Sequence, residues 1–363
     1  MFGFEKKPVS FKFGDKECLL SPYKSPVPPE IMPYYKKLEL SSAENARISE
    51  FFREVPSVLK IGGAKQSYYV AKWPNGLPNI LSIFKNGNAA GALINAGGKV
   101  AVQASLVSLV QTGFSLLVAI MRFFLGDTNR QLTVINQKID EILEVLYGDK
   151  RAELISAIRF TRDAYENFSS IMEHDGQRNA TIHNLQSARM TAMQDVEFYL
   201  SDLHSTVSKY NGNNNRFPDK IPEMERIVSK AIQSSECLDL SVQLYMTTNL
   251  MEIYYSQNYD PKYLRSVENS VRSDISRCEK QMIGDFNALK ASLVHQWQKK
   301  ADWDKDKEKI HALVQQVEQK LEPLMNDKGN ALKAQFRKAL RSIEKETECC
   351  IGADGTVYLK VDD

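Results

Sequence analysis

Residues 100–121 read VAVQASLVSLVQTGFSLLVAIM, with no charged side chain between Lys99 and Arg122. No other stretch of the chain is both so apolar and so long. By length alone it is a transmembrane candidate, because about 18 or more apolar residues can cross a bilayer. Its best window of about 19 residues reaches a mean hydropathy of only about 1.7 to 1.8, at the margin of membrane character. Gln103, Ser105, Ser108, Gln111, Thr112, Gly113 and Ser115 lower that value. The small residues among them also suit close contact between helices.

Immediately upstream, Ala92-Leu93-Ile94 and Val100-Ala101-Val102 flank Asn95-Ala96-Gly97-Gly98, which predicts a hairpin. The apolar helix therefore starts near Ser105 and runs to about Leu125, with Arg122 inside it. An arginine within a permanent span is costly, which favours a buried central helix over a membrane segment. Leu106, Leu109, Val110, Phe114, Leu117, Val118 and Ile120 are the candidate core or membrane-facing residues.

Downstream, Leu132, Ile135, Ile139, Ile142 and Leu146 are spaced 3-4-3-4, the heptad rhythm of a helix-pairing seam. Asp149 can cap a second helix through Leu154, Ile158 and Phe168, and a break at Asp175-Gly176 leads to a third through Leu185, Val196 and Leu203. Asn211 to Asn215 predicts a polar loop, and a further helix spans Pro222 to Tyr255. Pro261 suits the first turn of the most regular helix in the chain. There Leu264, Val267, Val271, Ile275, Cys278, Met282, Phe286, Leu289, Leu293 and Trp297 are spaced 3-4-4 repeatedly. That eleven-residue period describes a nearly straight rod. A charged segment from Asp302 to Lys309 precedes a last helical region, in which Pro323 predicts a kink.

The ends of the chain differ from its middle. Phe11 and Phe13, a Gly14-Asp15 turn and Cys18-Leu19-Leu20 predict two short strands. Pro26, Pro28, Pro29 and Pro33 predict an extended linker. Ser41 and Glu44 form a capping-box pattern ahead of Ile48, Phe51 and Phe52, with Pro56 and Gly62-Gly63 closing that helix. Tyr68 to Val70 predicts a strand ending at the Pro74-Asn75-Gly76 turn, and Ile80 to Phe84 another. Val357 to Val361 alternates like a strand after Asp354-Gly355. A lone strand leaves its backbone groups unpaired, so this tail is expected to pair with the N-terminal β elements.

The expected fold is therefore mainly α. It is an elongated bundle of six to eight long helices, with a small β element built from N-terminal segments and the C-terminal strand. The expected divisions are an N-terminal mixed module over 1–104, the bundle over 105–350 and the terminal strand over 351–363.

Chemistry is hard to find. The five histidines, His174, His183, His204, His295 and His311, never fall at i, i+4. The glycine clusters fit turns and match neither a phosphate loop nor a dinucleotide site. Asp302, Asp304 and Asp306 lack the glycine and final glutamate of a calcium loop. Cys18, Cys237, Cys278, Cys349 and Cys350 have neither metal-finger spacing nor the pattern of a disulfide framework, which fits reduced thiols in a cytoplasmic protein. Glu5-Lys6-Lys7-Pro8 stands where a Sec signal would need an apolar core. Forty-seven Lys and Arg against forty-five Asp and Glu exclude nucleic-acid binding as a default. No catalytic residue, metal site or cofactor is expected.

The arrangement is similar, in architecture, to the α-helical pore-forming toxins, which pack an apolar head against a rod of long helices. The runs GKVAVQASL over 98–106, and 135–158 through Asp140-Glu141-Ile142 and Gly148-Asp149-Lys150-Arg151, resemble a family of uncharacterised bacterial helical proteins. That resemblance implies a bacterial cytosolic origin and carries no activity. The leading expectation is a non-enzymatic scaffold or interaction protein that meets a protein partner or another copy of itself through its helices. The alternative is a conditional membrane-inserting or pore-forming protein that uses residues 100–125 on a lipid bilayer.

Overall fold

Three helices of 34, 36 and 39 residues set the dimensions of the protein. At 1.5 Å per residue they are rods of about 50 to 60 Å. The computed structural model describes residues 9–13, 16–23, 25, 27–49, 68–74, 76, 92–94, 100–102, 106–126, 148–208, 210, 217–301, 304–323, 329–352 and 354–361. Within these, α1 is Leu106–Phe124, α2 Gly148–Glu166, α3 Phe168–Met172 and α4 Asp175–Ser208. They are followed by α5 Ile221–Ser256, α6 Pro261–Lys299, α7 Lys305–Pro323 and α8 Gly329–Glu344. The protein is mainly α, a helical bundle, as its periodicities predict.

Local chemistry explains where several of these helices begin. At residues 42–49 the capping box is formed as read: Glu44 N–H donates to Ser41 Oγ at 3.2 Å, and Ser41 N–H donates to Glu44 Oε2 at 2.7 Å. Asp260 caps α6 by accepting from the Lys262 amide at 2.7 Å, with Pro261 at the first helical position. The eleven-residue stripe of α6 faces inward. Leu264, Val271, Ile275, Cys278, Met282, Phe286, Leu289 and Leu293 are buried, while Val267 and Trp297 are partly so.

The helix enclosed on all sides is α5. Every residue from Cys237 to Tyr255 is buried, and α2, α4, α6, α7 and α8 all pack against it. Its sequence hides this role, because Ser235, Ser241, Thr248 and Asn249 lie among its buried residues. Each satisfies itself on the preceding turn: Ser235 Oγ donates to the Ala231 carbonyl, Ser241 to Cys237, Thr248 to Leu244 and Asn249 to Tyr245, all at 2.7–2.9 Å. Back-bonding of this kind lets small polar residues enter a core without an unmet polar group.

The β element is built, as expected, from N-terminal segments and the C-terminal tail. The described strands are β1 Val9–Phe13, β2 Lys16–Pro22, β3 Tyr35–Lys37, β4 Tyr68–Trp73, β5 Ala92–Ile94, β6 Val100–Val102, β7 Thr347–Gly352 and β8 Val357–Lys360. They form one antiparallel sheet in the order β3-β8-β7-β4-β2-β1-β5-β6. The tail does pair with N-terminal strands: β7 lies along β4, with Tyr69 opposite Ile351, and β8 lies along β3. One face of the sheet, through Tyr69, Ala71, Trp73, Cys349, Ile351, Val357 and Leu359, joins the main helical core. On the other, Tyr35, Cys350 and Tyr358 form a second small core with Tyr23, Met32, Tyr34 and Tyr68.

Two expectations need correction. The proline-rich stretch is not simply a linker, because it ends in β3. Residues 347–350 belong to β7 rather than to the helical region. Pro323 is the last described residue of α7, and the stretch that follows it, where a kink is expected, lies outside the described residues. The expected seam over 132–146, the strand over 80–84, the loop over 211–215 and the helix stop at 56–63 lie outside the described residues.

Candidate functional site

The apolar helix takes the span that the sequence predicts, Leu106–Phe124. Leu117, Val118 and Ile120 are buried, and so are all residues from Ser115 to Met121. Leu106, Leu109, Val110 and Phe114 lie on the same helix, and their side chains fall outside the described set. Leu132, Ile135, Ile139, Ile142 and Leu146 also lie outside the described residues. Among the described residues no helix is long and apolar enough to cross a membrane.

Polar contacts clasp the C-terminal half of α1, which packs on the short helix α3. Arg122 donates through Nη1 to Ser169 Oγ of α3 at 3.1 Å and through Nη2 to the Glu39 carbonyl. Glu44 Oε2 lies 4.0 Å from the same Nη2. From the other direction, Arg47 reaches Ser115 Oγ at 3.4 Å and Glu173 Oε1 at 3.0 Å. The arginine that makes a permanent span uncomfortable thus joins α1 to α3 and to the segment ahead of helix 42–49. Arg47 and Glu173 carry no periodic or motif signal. They are 126 residues apart, and only the fold reveals the pair.

Two other polar groups have distinctive electrostatics. Glu348 on β7 accepts from Tyr35 Oη at 2.7 Å, pairs with Lys72 Nζ at 2.6 Å, and has Lys360 Nζ at 3.5 Å. Burial alone would raise its pKa, but the hydrogen bonds from Lys72 and Tyr35 outweigh that and hold it below the ordinary glutamate value. Burial first, and then the bond to Glu348, push the Tyr35 hydroxyl far above its usual range, so it remains a donor. This cluster fastens β3, β4, β7 and β8 to one another.

Between α4 and α6, His204 Nδ1 lies 2.8 Å from Asp285 Oδ1. Burial raises the Asp285 pKa and the contact with His204 offsets only part of the rise. Asp285 Oδ2 has no hydrogen-bond partner among the described residues. It borders a void of about 10 Å³ beside Ser235 and Phe286. A space of this size holds about one water and no substrate. Among the described residues no group of three or more His, Cys, Asp or Glu side chains could hold a metal ion.

These features define a class, a mainly α bundle whose core is joined by one face of a sheet of N- and C-terminal strands. No protein-family model, curated protein or solved structure matches the chain.

Proposed function

We propose that this chain is a non-enzymatic scaffold or interaction protein, cytoplasmic in location, working through its long helices. The observation that carries this reading is the unbroken burial from Ser115 to Met121 under the Arg47 and Arg122 contacts. The described half of the most apolar segment is thereby committed to the protein's own interior. Apolar groups on the packed pair α4 and α6 remain outside: Met190 is 60% exposed, and Met193, Phe198 and Ile283 are exposed as well. Methionines and aromatics of this kind are adaptable contact groups for another helix. The near-balance of charge gives nucleic acid no general attraction.

Light scattering coupled to size exclusion tests the reading. An elongated particle, or one heavier than 41.2 kDa, is expected, and a compact spherical monomer would count against it.

A second reading, conditional insertion of residues 100–125 into a bilayer, is favoured by one observation. The C-terminal half of α1 is tied to residues 39, 44, 47 and 169 through polar contacts. Polar contacts exchange for water or lipid headgroups more readily than a packed core separates. Liposome flotation and dye release at neutral and acidic pH separate the two readings, and absence of both at every pH removes insertion.

A further inference from the structure

An open cleft of about 260 Å³ lies between α6 and α8. That is slightly below the usual range for small-molecule pockets, so it suits a compact group with a short organic remainder. Buried Val271 and Phe336 form its apolar floor. Three cations line it, Arg272 from α6 and Lys333 and Arg337 from α8, against the single carboxylate of Glu268.

The way these groups are engaged matters more than their number. Arg337 donates through Nε to Glu268 Oε1 at 2.6 Å, and Lys333 Nζ donates to Glu279 Oε2 at 2.6 Å. These ion pairs tie α8 to α6 and fix both basic side chains from one side. The two terminal amino groups of Arg337 make no hydrogen bond among the described residues. Arg272 and the Ser276 hydroxyl have no partner there either. What remains is rich in donors, including two guanidinium groups whose planar forks match the oxygens of a phosphate. Asn330 of α8 also lines the cleft.

We propose that this cleft binds a phosphate monoester. Arg272 and the free edge of Arg337 grip the phosphate, Ser276 and Lys333 support it, and a short organic remainder lies over Phe336 and Val271. The site is independent of the scaffold reading and could serve to regulate it. A soluble phosphate ester and a phosphatidic acid headgroup share this chemistry.

The test uses the full chain with ionic strength held constant by sodium chloride. Inorganic phosphate and glycerol 3-phosphate are titrated calorimetrically, and vesicles with and without phosphatidic acid are assayed by flotation. Saturable binding is expected that Arg272→Gln weakens at least about tenfold, the effect of losing one hydrogen bond to a charged group. The melting temperature of that variant should match wild type, because Arg272 is exposed and supports no neighbour. Arg337→Lys, which keeps the charge but loses the fork, should also weaken binding, whereas exposed Lys320→Gln should leave it unchanged. Binding of glycerol 3-phosphate supports the site with a soluble ligand. Binding of phosphatidic acid vesicles alone, lost in Arg272→Gln, supports it with a lipid headgroup. Binding that survives Arg272→Gln, or that neither probe shows, overturns the proposal.

Discussion

Replacing Leu117 by alanine measures how firmly the apolar helix belongs to the bundle. Leu117 is 0% exposed, within a buried run that extends from Ser115 to Met121. Full burial of a leucine side chain contributes about 1.5–3 kcal/mol. Truncation loses that contribution and leaves a cavity, so the expected cost is about 2–5 kcal/mol. With a urea slope near 3 kcal/mol per molar, the midpoint should fall by about 1 M with the slope unchanged. Leu117→Asp adds an unpaired carboxylate to the same site. In a protein whose total stability is about 5–15 kcal/mol, that variant should be largely unfolded. A drop below about 0.5 kcal/mol for Leu117→Ala would refute the reasoning, because it would mean that α1 spends little of its time docked.

The remaining predictions concern the sheet and the thiols. The Glu348 pKa is depressed in the folded state, so its contribution is present at neutral pH and is lost as pH falls below about 4.5 toward the folded value. Glu348→Gln should cost about 1–2 kcal/mol at pH 7, discounted for the exposure of Lys72, and should flatten the acid limb of a stability–pH curve. Burial pushes the Cys237 and Cys350 thiols up to about 12 and Cys278 to about 11. Alkylation at pH 8 mapped by mass spectrometry should therefore find these three at least about a hundredfold slower than free cysteine, until denaturant is added. Gly76 has φ +58°, and an added Cβ would collide with the carbonyls of Ile343 and Lys345. Gly76→Ala should thus destabilise by more than the roughly 1–2 kcal/mol of a left-handed residue, read from thermal melts.

Much of the fold was legible wherever a local rule and a long-range requirement agreed. Ser41 and Glu44 are near neighbours, so their capping box could be read directly, and the α6 stripe repeats often enough to define its inward face. Val357 to Val361 could be placed because a strand needs a partner. By contrast, α5 was underrated: Ser241, Thr248 and Asn249 lower its apparent hydrophobicity, yet their back-bonds make them compatible with burial. The short break at Asn167 between α2 and α3 carries no Gly or Pro, so no local signal marks it. The candidate sites were least legible. The partners of Arg47, Arg122 and Arg337 come from other elements, and a charged residue on a helix reads as a solvated one until its neighbours are known.

The interleaved sheet also has a bearing on synthesis. Tyr35 and Glu348, joined by a hydrogen bond, are 313 residues apart. At about 5–20 residues per second, a ribosome needs roughly 15–60 s to deliver the second after the first. Throughout that interval β3 and β4 lack their C-terminal neighbours, and their unpaired edges can recruit other strands. The helices, whose contacts are largely between sequence neighbours, can assemble in the meantime. The sheet thus closes only once β7 and β8 have been made, and a polypeptide truncated before Thr347 would leave the ribosome with β4 open to aggregation.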